Sequence, residues 1–244
     1  AVSPDGTWVF FASTRHRATS DIYAKRVGGS AVTLLTNDAS NDVMPAVSPD
    51  GKRIAFASNR AGSYDIYVMS ASGGRPVQVT SDPGQELKPT WSPDGKSLAF
   101  CRIAEGRASD RWEIWVSEVN RPSNTRFLTF GLFPTWQPAG DKIAFQRARE
   151  RGSRFFSVWT IDYTDGDALN PTEVVSSPVA ACINPSWSPD GEFLAFSTVM
   201  SPESVPEAGF APAPGRLSPN QADLWIVRAD GSSRAPLTAG ASAN

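Results

Sequence analysis

Short apolar stretches separated by turn residues run along the whole chain. One set is rich in aliphatic residues and phenylalanine, at 9–12, 54–57, 98–101, 143–145 and 194–196. A second set joins an aliphatic residue to an aromatic one, at 22–23, 66–67, 114–115, 158–159 and 224–225. Stretches of this length, bounded by Gly, Pro, Asn and Asp, are typical of β-strands. The pattern therefore predicts an all-β chain.

The strand pattern recurs together with a four-residue turn. Ser-Pro-Asp-Gly begins at Ser3, Ser48, Ser92 and Ser188, and a degenerate Gln-Pro-Ala-Gly begins at Gln137, so successive starts lie 45, 44, 45 and 51 residues apart. Most periods also hold an apolar stretch that contains proline before the turn, and a closing Leu-Thr or Val-Thr. Four strands per period indicate a propeller blade, because one small sheet buries its faces only by stacking on its neighbours.

The predicted fold is a β-propeller of four-stranded antiparallel blades with five repeats. We place the blades at about 1–44, 45–88, 89–133, 134–184 and 185–244, within a single domain. Two arrangements remain open, a five-bladed ring and a six-bladed ring with one blade missing. Asp5, Asp50, Asp94 and Asp190 occupy the third position of the turns, where a carboxylate can accept nearby backbone N–H groups, so we interpret them as structural.

The combination of the Ser-Pro-Asp-Gly turn, the Ala-Phe strand, the Asp-Ile-Tyr strand and the closing Leu-Thr resembles the repeat of the TolB-like β-propeller family over essentially the whole chain. Such repeats also occur in the propeller domains of tricorn-type and prolyl-oligopeptidase-type peptidases, so they indicate fold strongly and function weakly. The resemblance implies a scaffold that docks onto a partner protein or a membrane complex, in the periplasm or another extracytoplasmic compartment.

Composition and charge bear on which classes of partner the chain can bind. The formal net charge of −2 gives no general attraction for nucleic acid, and no apolar run reaches the roughly 20 residues that span a bilayer. Cys101 and Cys182 fall at non-equivalent positions of different repeats, so we expect two free, buried thiols.

Arginine and aromatic residues concentrate in the loops between the second and third strands of the blades. The combination of arginine with aromatic residues is typical of binding hot spots. The partner-binding candidates are Arg15, Arg17, Tyr64, Arg107, Arg111, Trp112, Arg149, Arg151, Arg154, Phe155 and Phe156. A structural alternative is that Arg15, Arg60, Arg102 and Arg147 recur at one repeat position and pair with the acid before the next strand, as Arg60 would with Asp65.

Two further features belong to the same side of the blades. Asp38, Asp42, Asp82 and Glu86 form an acidic element in the loops before the innermost strands, but their spacing matches no known calcium loop, so we expect solvated acids. The segment 201–221 contains five prolines and reads as a long surface loop.

Enzyme signatures are absent from the sequence. There is no Gly-x-Ser-x-Gly nucleophile elbow, the single histidine, His16, lies in an arginine-rich loop, and one histidine with two scattered cysteines cannot form the common zinc sites. We expect a non-catalytic protein without metal or cofactor. The alternatives are the gating or substrate-filtering propeller of a larger serine peptidase, and a propeller that binds a small anionic ligand such as a sugar acid.

Overall fold

The computed structural model describes residues 1–103, 112–148, 155–164, 166–200 and 222–238. Within them the chain forms antiparallel β-sheets and turns. The chain divides into two compact units, Ala1–Phe130 and Gly131–Asn244. No helix in these ranges is long and apolar enough to cross a membrane.

The first unit holds three sheets that follow one another in sequence. The first is β1-β2-β3, the second β4-β5-β6-β7 and the third β8-β9-β10-β11. Their strands are β1 (Trp8–Ser13), β2 (Asp21–Arg26), β3 (Val32–Leu34), β4 (Asp42–Val47), β5 (Arg53–Ser58), β6 (Asp65–Ser70), β7 (Val77–Gln78), β8 (Gln85–Trp91), β9 (Ser97–Ile103), β10 (Glu113–Glu118) and β11 (Arg121–Phe130).

The second unit holds two four-stranded sheets, β12-β13-β14-β15 and β16-β17-β18-β19. Their strands are β12 (Leu132–Trp136), β13 (Lys142–Ala148), β14 (Phe156–Thr164), β15 (Asp167–Val175), β16 (Ala180–Trp187), β17 (Phe193–Met200), β18 (Ala222–Arg228) and β19 (Ala235–Pro236). The predicted all-β propeller fold is confirmed, with five antiparallel blades. Four of the sheets have four strands, and the first has three among the described residues, with only the bridge between Val2 and Val9 beside β1.

The innermost strand of each four-stranded sheet carries the same irregularity. The pairing of β4 with β5 shifts register between Val43 and Ala46, and that of β8 with β9 shifts between Leu87 and Thr90. The residue before the strand proline has a positive φ in each case, 54° at Met44 and 55° at Lys88. Phe133 and Asn184 repeat this in β12 and β16. A recurring β-bulge thus lets the strand accommodate proline, which cannot donate a hydrogen bond to the sheet.

The core is built from the two apolar patterns recognised in the sequence. Phe56, Phe100, Phe145 and Phe196 from the Ala-Phe strands are almost fully buried. Cys101 and Cys182 are buried and form no disulfide, which confirms the expectation of free thiols. Since Cys101 lies in strand β9, its thiol is held within the sheet and donates to the carbonyl of Leu87.

Candidate functional site

The Ser-Pro-Asp-Gly turns use their aspartates to hold the backbone. Hydrogen bonds from Ser3 and then from Thr7 lower the pKa of Asp5 to about 2. In the second turn Ser48 and the backbone N–H of Lys52 bond Asp50 in the same way and lower the pKa of its carboxyl. Asp94 and Asp190 repeat the arrangement. These carboxylates are therefore ionised and engaged in their own turns.

The opposite strand ends of the first unit form a continuous loop surface. We call this the loop face, made of residues 14–20, 36–41, 59–64 and 80–84 together with the adjoining Asp42, Glu86 and Arg102. Arg17 Nη1 donates to the carbonyl of Asp38 at 2.8 Å, Asn41 Oδ1 accepts from the N–H of Ser20 at 3.1 Å, and Asn59 Oδ1 accepts from the N–H of Asn41 at 2.7 Å. The hydrogen bonds connect the loops of successive sheets and hold this surface in one arrangement.

Two arginines of the loop face, Arg60 and Arg102, form ion pairs within the protein. Arg60 Nη2 lies 2.9 Å from Asp42 Oδ1 and 3.0 Å from Asp38 Oδ2, and the side chain of Asp42 is fully buried. The expectation that Arg60 pairs with Asp65 is therefore wrong. Asp38 lies in the loop before β4, and Asp42 is the first residue of β4. The acids that pair with Arg60 therefore come from the loop and strand before β5.

The same arrangement occurs in the next blade with different spacing. Arg102 Nε lies 2.9 Å from Glu86 Oε1, and Arg102 Nη2 lies 2.6 Å from Asp82 Oδ2. Arg102 lies within β9, opposite Glu113, whereas Arg60 follows β5. The prediction that these arginines share one repeat position is therefore wrong. Arg60 and Arg102 occupy different positions, but each guanidinium group pairs with acids from the preceding loop and strand. The predicted acidic element is accordingly ion-paired rather than simply solvated.

Each of these guanidinium groups also lies over the aromatic residue of the neighbouring strand. The distance from guanidinium carbon to ring centroid is 4.8 Å for Arg60 and Tyr67, and 4.3 Å for Arg102 and Trp115. In the second unit Arg147 lies 5.4 Å from the Trp159 ring. Three of the five aromatic residues of the second apolar pattern, Tyr67, Trp115 and Trp159, thus form cation–π contacts. The sequence reasoning missed this role, although the regular aromatic position signalled it.

A pair of buried carboxyl groups lies beneath Arg102. Asp65 and Glu86 are almost completely buried, and Asp65 Oδ1 and Glu86 Oε2 have no hydrogen-bond partner among the described residues. Burial raises the pKa of Glu86 to about 7, against the opposing effects of the Thr80 hydrogen bond and the charge of Arg102. Burial likewise raises the pKa of Asp65. The negative charge of Asp65 also raises the pKa of Glu86, because two buried carboxylates of like charge favour a bound proton on one of them.

The predicted partner-binding residues fall into three groups. Arg15, His16 and Arg17 are exposed on the loop face, and the His16 ring lies 5.9 Å from that of Tyr23. Tyr64 and Trp112 are half-buried in the first unit, as are Phe155 and Phe156 in the second. Arg107, Arg111, Arg149, Arg151, Arg154 and the segment 201–221 lie outside the described residues.

Among the described residues, no group of three or more His, Cys, Asp or Glu side chains is arranged to hold a metal ion. The acids of the loop face instead face arginines, as the ion pairs of Arg60 and Arg102 show. This part of the chain therefore presents binding chemistry made of cations and aromatic rings.

Comparison with known proteins places these observations in a family. The TolB beta propeller domain family matches residues 1–166. Dipeptidyl-peptidase 5 of Porphyromonas gingivalis is 38% identical over 68 residues, which is 26% of this chain and 10% of that peptidase. The matched stretch therefore spans a tenth of the relative's length.

Solved structures show the same fold. A structure assigned as TolB of Agrobacterium tumefaciens has a TM-score of 0.73 at 22% identity, and covers 96% of this chain and 78% of that one. TolB of Acinetobacter baumannii has a TM-score of 0.65 at 19% identity, and covers 96% of this chain and 65% of that one. At these identities the likeness shows the fold alone.

Proposed function

Because this chain belongs to the TolB beta-propeller family, we propose that it is a non-catalytic scaffold that docks a partner protein through the loop face. The partner presents an acidic surface, and it belongs to a complex in the periplasm or another extracytoplasmic compartment, as the family resemblance implies. Half-buried Tyr64 on the same face supplies apolar contact area for such an interface.

The observation that carries this proposal is that some arginines of the loop face form ion pairs within the protein while others are exposed to solvent. Arg60 and Arg102 are satisfied by buried acids and by aromatic rings. Arg15 and Arg17 are exposed. The Arg17 guanidinium already donates to the carbonyl of Asp38 and to Asn37 Oδ1, whereas within the described ranges the Arg15 guanidinium forms no ion pair. Exposed arginine can grip a carboxylate with two parallel hydrogen bonds, which favours an acidic partner.

Site-specific photocrosslinking in cells of the source organism tests this proposal. A photoreactive amino acid in place of Arg15 is expected to give a defined adduct with one protein, because that position lies on the docking surface. The same amino acid in place of Arg26 is the matched control. Arg26 is also exposed but ends β2 at the other end of the strand.

A specific adduct from position 15 and none from position 26 supports docking through the loop face. Equal adducts from both positions, or none from either, would overturn it. Fractionation of the same cells locates the crosslinked species, and recovery in the cytoplasm would contradict the compartment proposed here.

A second candidate is favoured by the local identity with Dipeptidyl-peptidase 5 of Porphyromonas gingivalis. In that case this propeller admits or filters substrates for a serine peptidase domain. The intact mass of the natural protein separates the two candidates. A parent chain that is much heavier and carries a hydrolase domain supports the peptidase, whereas a mass near 26.2 kDa supports the scaffold.

A further inference from the structure

A large open pocket lies in the first unit between the first and second sheets. It is at the end of the strands where the Ser-Pro-Asp-Gly turns lie, opposite the loop face. Its volume is about 820 Å³, within the range that holds drug-sized ligands. Phe10, Ala24 and Leu35 form its apolar lining, Trp8 lines one side, and Asp5 and Asp50 come from the two turns at its rim.

Comparison of the repeats explains why the space is open. The residue immediately before the Ser-Pro-Asp-Gly turn is Trp91 in the third sheet and Trp187 in the fifth, but Val47 in the second. Trp91 and Trp187 are buried at 6% and 9% exposure, whereas Val47 remains partly exposed. Trp136 holds the same position before the degenerate turn of the fourth sheet. The smaller Val47 therefore fills less space than the indole ring that the third, fourth and fifth sheets place there.

The lining of the pocket corresponds to the surface on which Trp91 packs. In the second sheet Ala55, Val68 and Val79 belong to the same buried cluster as Trp91. The equivalent residues of the first sheet, counted from each turn and from the closing threonine, are Phe10, Ala24 and Leu35. All three line the pocket. The first sheet thus offers an indole-binding surface on which the second sheet packs the smaller Val47 instead of an indole ring.

An acceptor for an indole N–H is also present. Trp91 Nε1 donates to the carbonyl of Ala46 at 3.1 Å, and Trp187 Nε1 donates to the carbonyl of Thr135 at 3.0 Å. Ala1 holds the equivalent repeat position before the first turn, and its carbonyl accepts from the N–H of Phe10 at 2.8 Å. Since a carbonyl oxygen has two lone pairs, Ala1 can accept a second hydrogen bond there.

The charged residues at the rim of the pocket favour a basic residue next to a bound indole ring. The carboxyls of Asp5 and Asp50 have lowered pKa values, held down first by hydrogen bonds from Ser3 and Ser48, and both are ionised at neutral pH. They outnumber the one cation of the lining, Lys52, so the rim has a net negative charge. Within the protein, the filled site around Trp91 includes a cation, because the Arg53 guanidinium lies 4.5 Å from the ring and donates to Gly95. The first sheet has Trp8 at the position of Arg53.

We infer that this pocket receives a tryptophan side chain from a partner polypeptide that carries a basic residue next to it. The partner's indole occupies the place that Trp91 fills in the next blade, and its basic side chain faces Asp5 and Asp50. The pocket is larger than one indole ring, so residues on either side of the tryptophan fit with it. This site is at the opposite strand ends from the loop face and does not depend on the function proposed there.

The inference can be tested with a synthetic peptide, acetyl-Gly-Trp-Arg-Gly-amide, that carries 5-fluorotryptophan. Binding to the full chain is followed by fluorine NMR, which separates the probe from the protein's own tryptophans. Val47→Trp fills the pocket from within, and is expected to weaken binding by at least about tenfold. It is also expected to raise the unfolding temperature by a few degrees, because the added ring buries apolar surface. Val47→Ile, which leaves the pocket open, is the matched control.

A second protein variant and two further probes distinguish the possible outcomes. Trp8→Ala removes a partly exposed side of the pocket, and is expected to weaken binding even if Val47→Trp fails to fold. A peptide with alanine in place of arginine is expected to bind more weakly at low salt. Binding of free 5-fluoroindole as tight as that of the peptide would assign the pocket to a small molecule and contradict the inference. Peptide binding that survives in folded Val47→Trp would overturn it as well.

Discussion

Asp42 and Glu86 show how single residues hold the loop face together. Both side chains are fully buried, and each accepts a hydrogen bond from an arginine of the same face. A buried charge without a partner is costly, so the ion pairs matter more through what their loss would expose than through their own attraction. The arginines are therefore structural at positions 60 and 102.

Removal of one arginine should reveal this dependence. Arg60→Ala leaves the Asp42 carboxylate buried without its partner, and is expected to lower the free energy of unfolding by about 3 kcal/mol in a urea titration. Arg15→Ala, which removes an exposed arginine of the same loop face, is expected to change it by less than about 0.5 kcal/mol. Equal effects of the two substitutions would contradict the assigned roles.

The Asp65 and Glu86 pair predicts an unusual dependence of stability on pH. The pKa of Glu86 is about 7 in the folded protein and has an ordinary value of 4.5, so the folded state holds an extra proton between these pH values. Its contribution to stability is complete below pH 4.5 and is lost as the pH rises towards 7.

Glu86→Gln removes this titration and keeps the contacts. The amide can donate to Asp65 while its oxygen accepts from Arg102. We expect the free energy of unfolding to rise by about 1–3 kcal/mol at alkaline pH, with little change under mildly acidic conditions. Urea titrations across the pH range measure this, with exposed Glu192→Gln as control. A gain that does not depend on pH would contradict the raised pKa of Glu86.

At the scale of strands and turns, a β-bulge recurs in the innermost strand of each four-stranded sheet. It places a non-glycine residue at positive φ directly before the strand proline, as at Lys88 with 55°. Left-handed backbone is costly for residues other than glycine, and most costly for β-branched ones. The strands hold this conformation because the register on both sides is fixed by pairing with the next strand.

Substitution of Lys88 separates backbone strain from packing, because the side chain is exposed. Lys88→Val is expected to lower the free energy of unfolding by about 1–2 kcal/mol, whereas Lys88→Gly is expected to hold or raise it. Lys25→Val, at an exposed position of β2 without positive φ, is the control and should be nearly neutral. Similar losses for both valine substitutions would contradict a strained bulge.

Strand existence and turn chemistry were predictable from the sequence because both depend on local patterns. The Ser-Pro-Asp-Gly turns and the Ala-Phe strands lie where the repeat places them. The partner of Arg60 was not predictable in the same way, because Asp42 lies on another strand and only the stacking of loops brings it near. The open position at Val47 was visible in the aligned repeats, but its meaning depended on knowing where Trp91 packs.

At the scale of the whole molecule, a formal net charge of −2 conceals strong local differences. In the first unit four acids, Asp38, Asp42, Asp82 and Glu86, pair with Arg60 and Arg102, and the exposed arginines at positions 15 and 17 stand out against that background. Family membership accounts for the fold, but the repeats alone carry no partner identity. The composition of the loop face is therefore the feature on which the proposal of protein docking rests.

The most direct test of docking through the loop face is the affinity for the partner identified by crosslinking, measured by titration calorimetry with charge-reversed proteins. Arg15→Glu with Arg17→Glu reverses two exposed cations of the loop face, and Lys25→Glu with Arg26→Glu makes the same change at the other end of β2. We predict that the first pair raises the dissociation constant by at least about tenfold and that the second leaves it nearly unchanged. Unchanged affinity for the first pair, or equal loss for both, would contradict docking through this face.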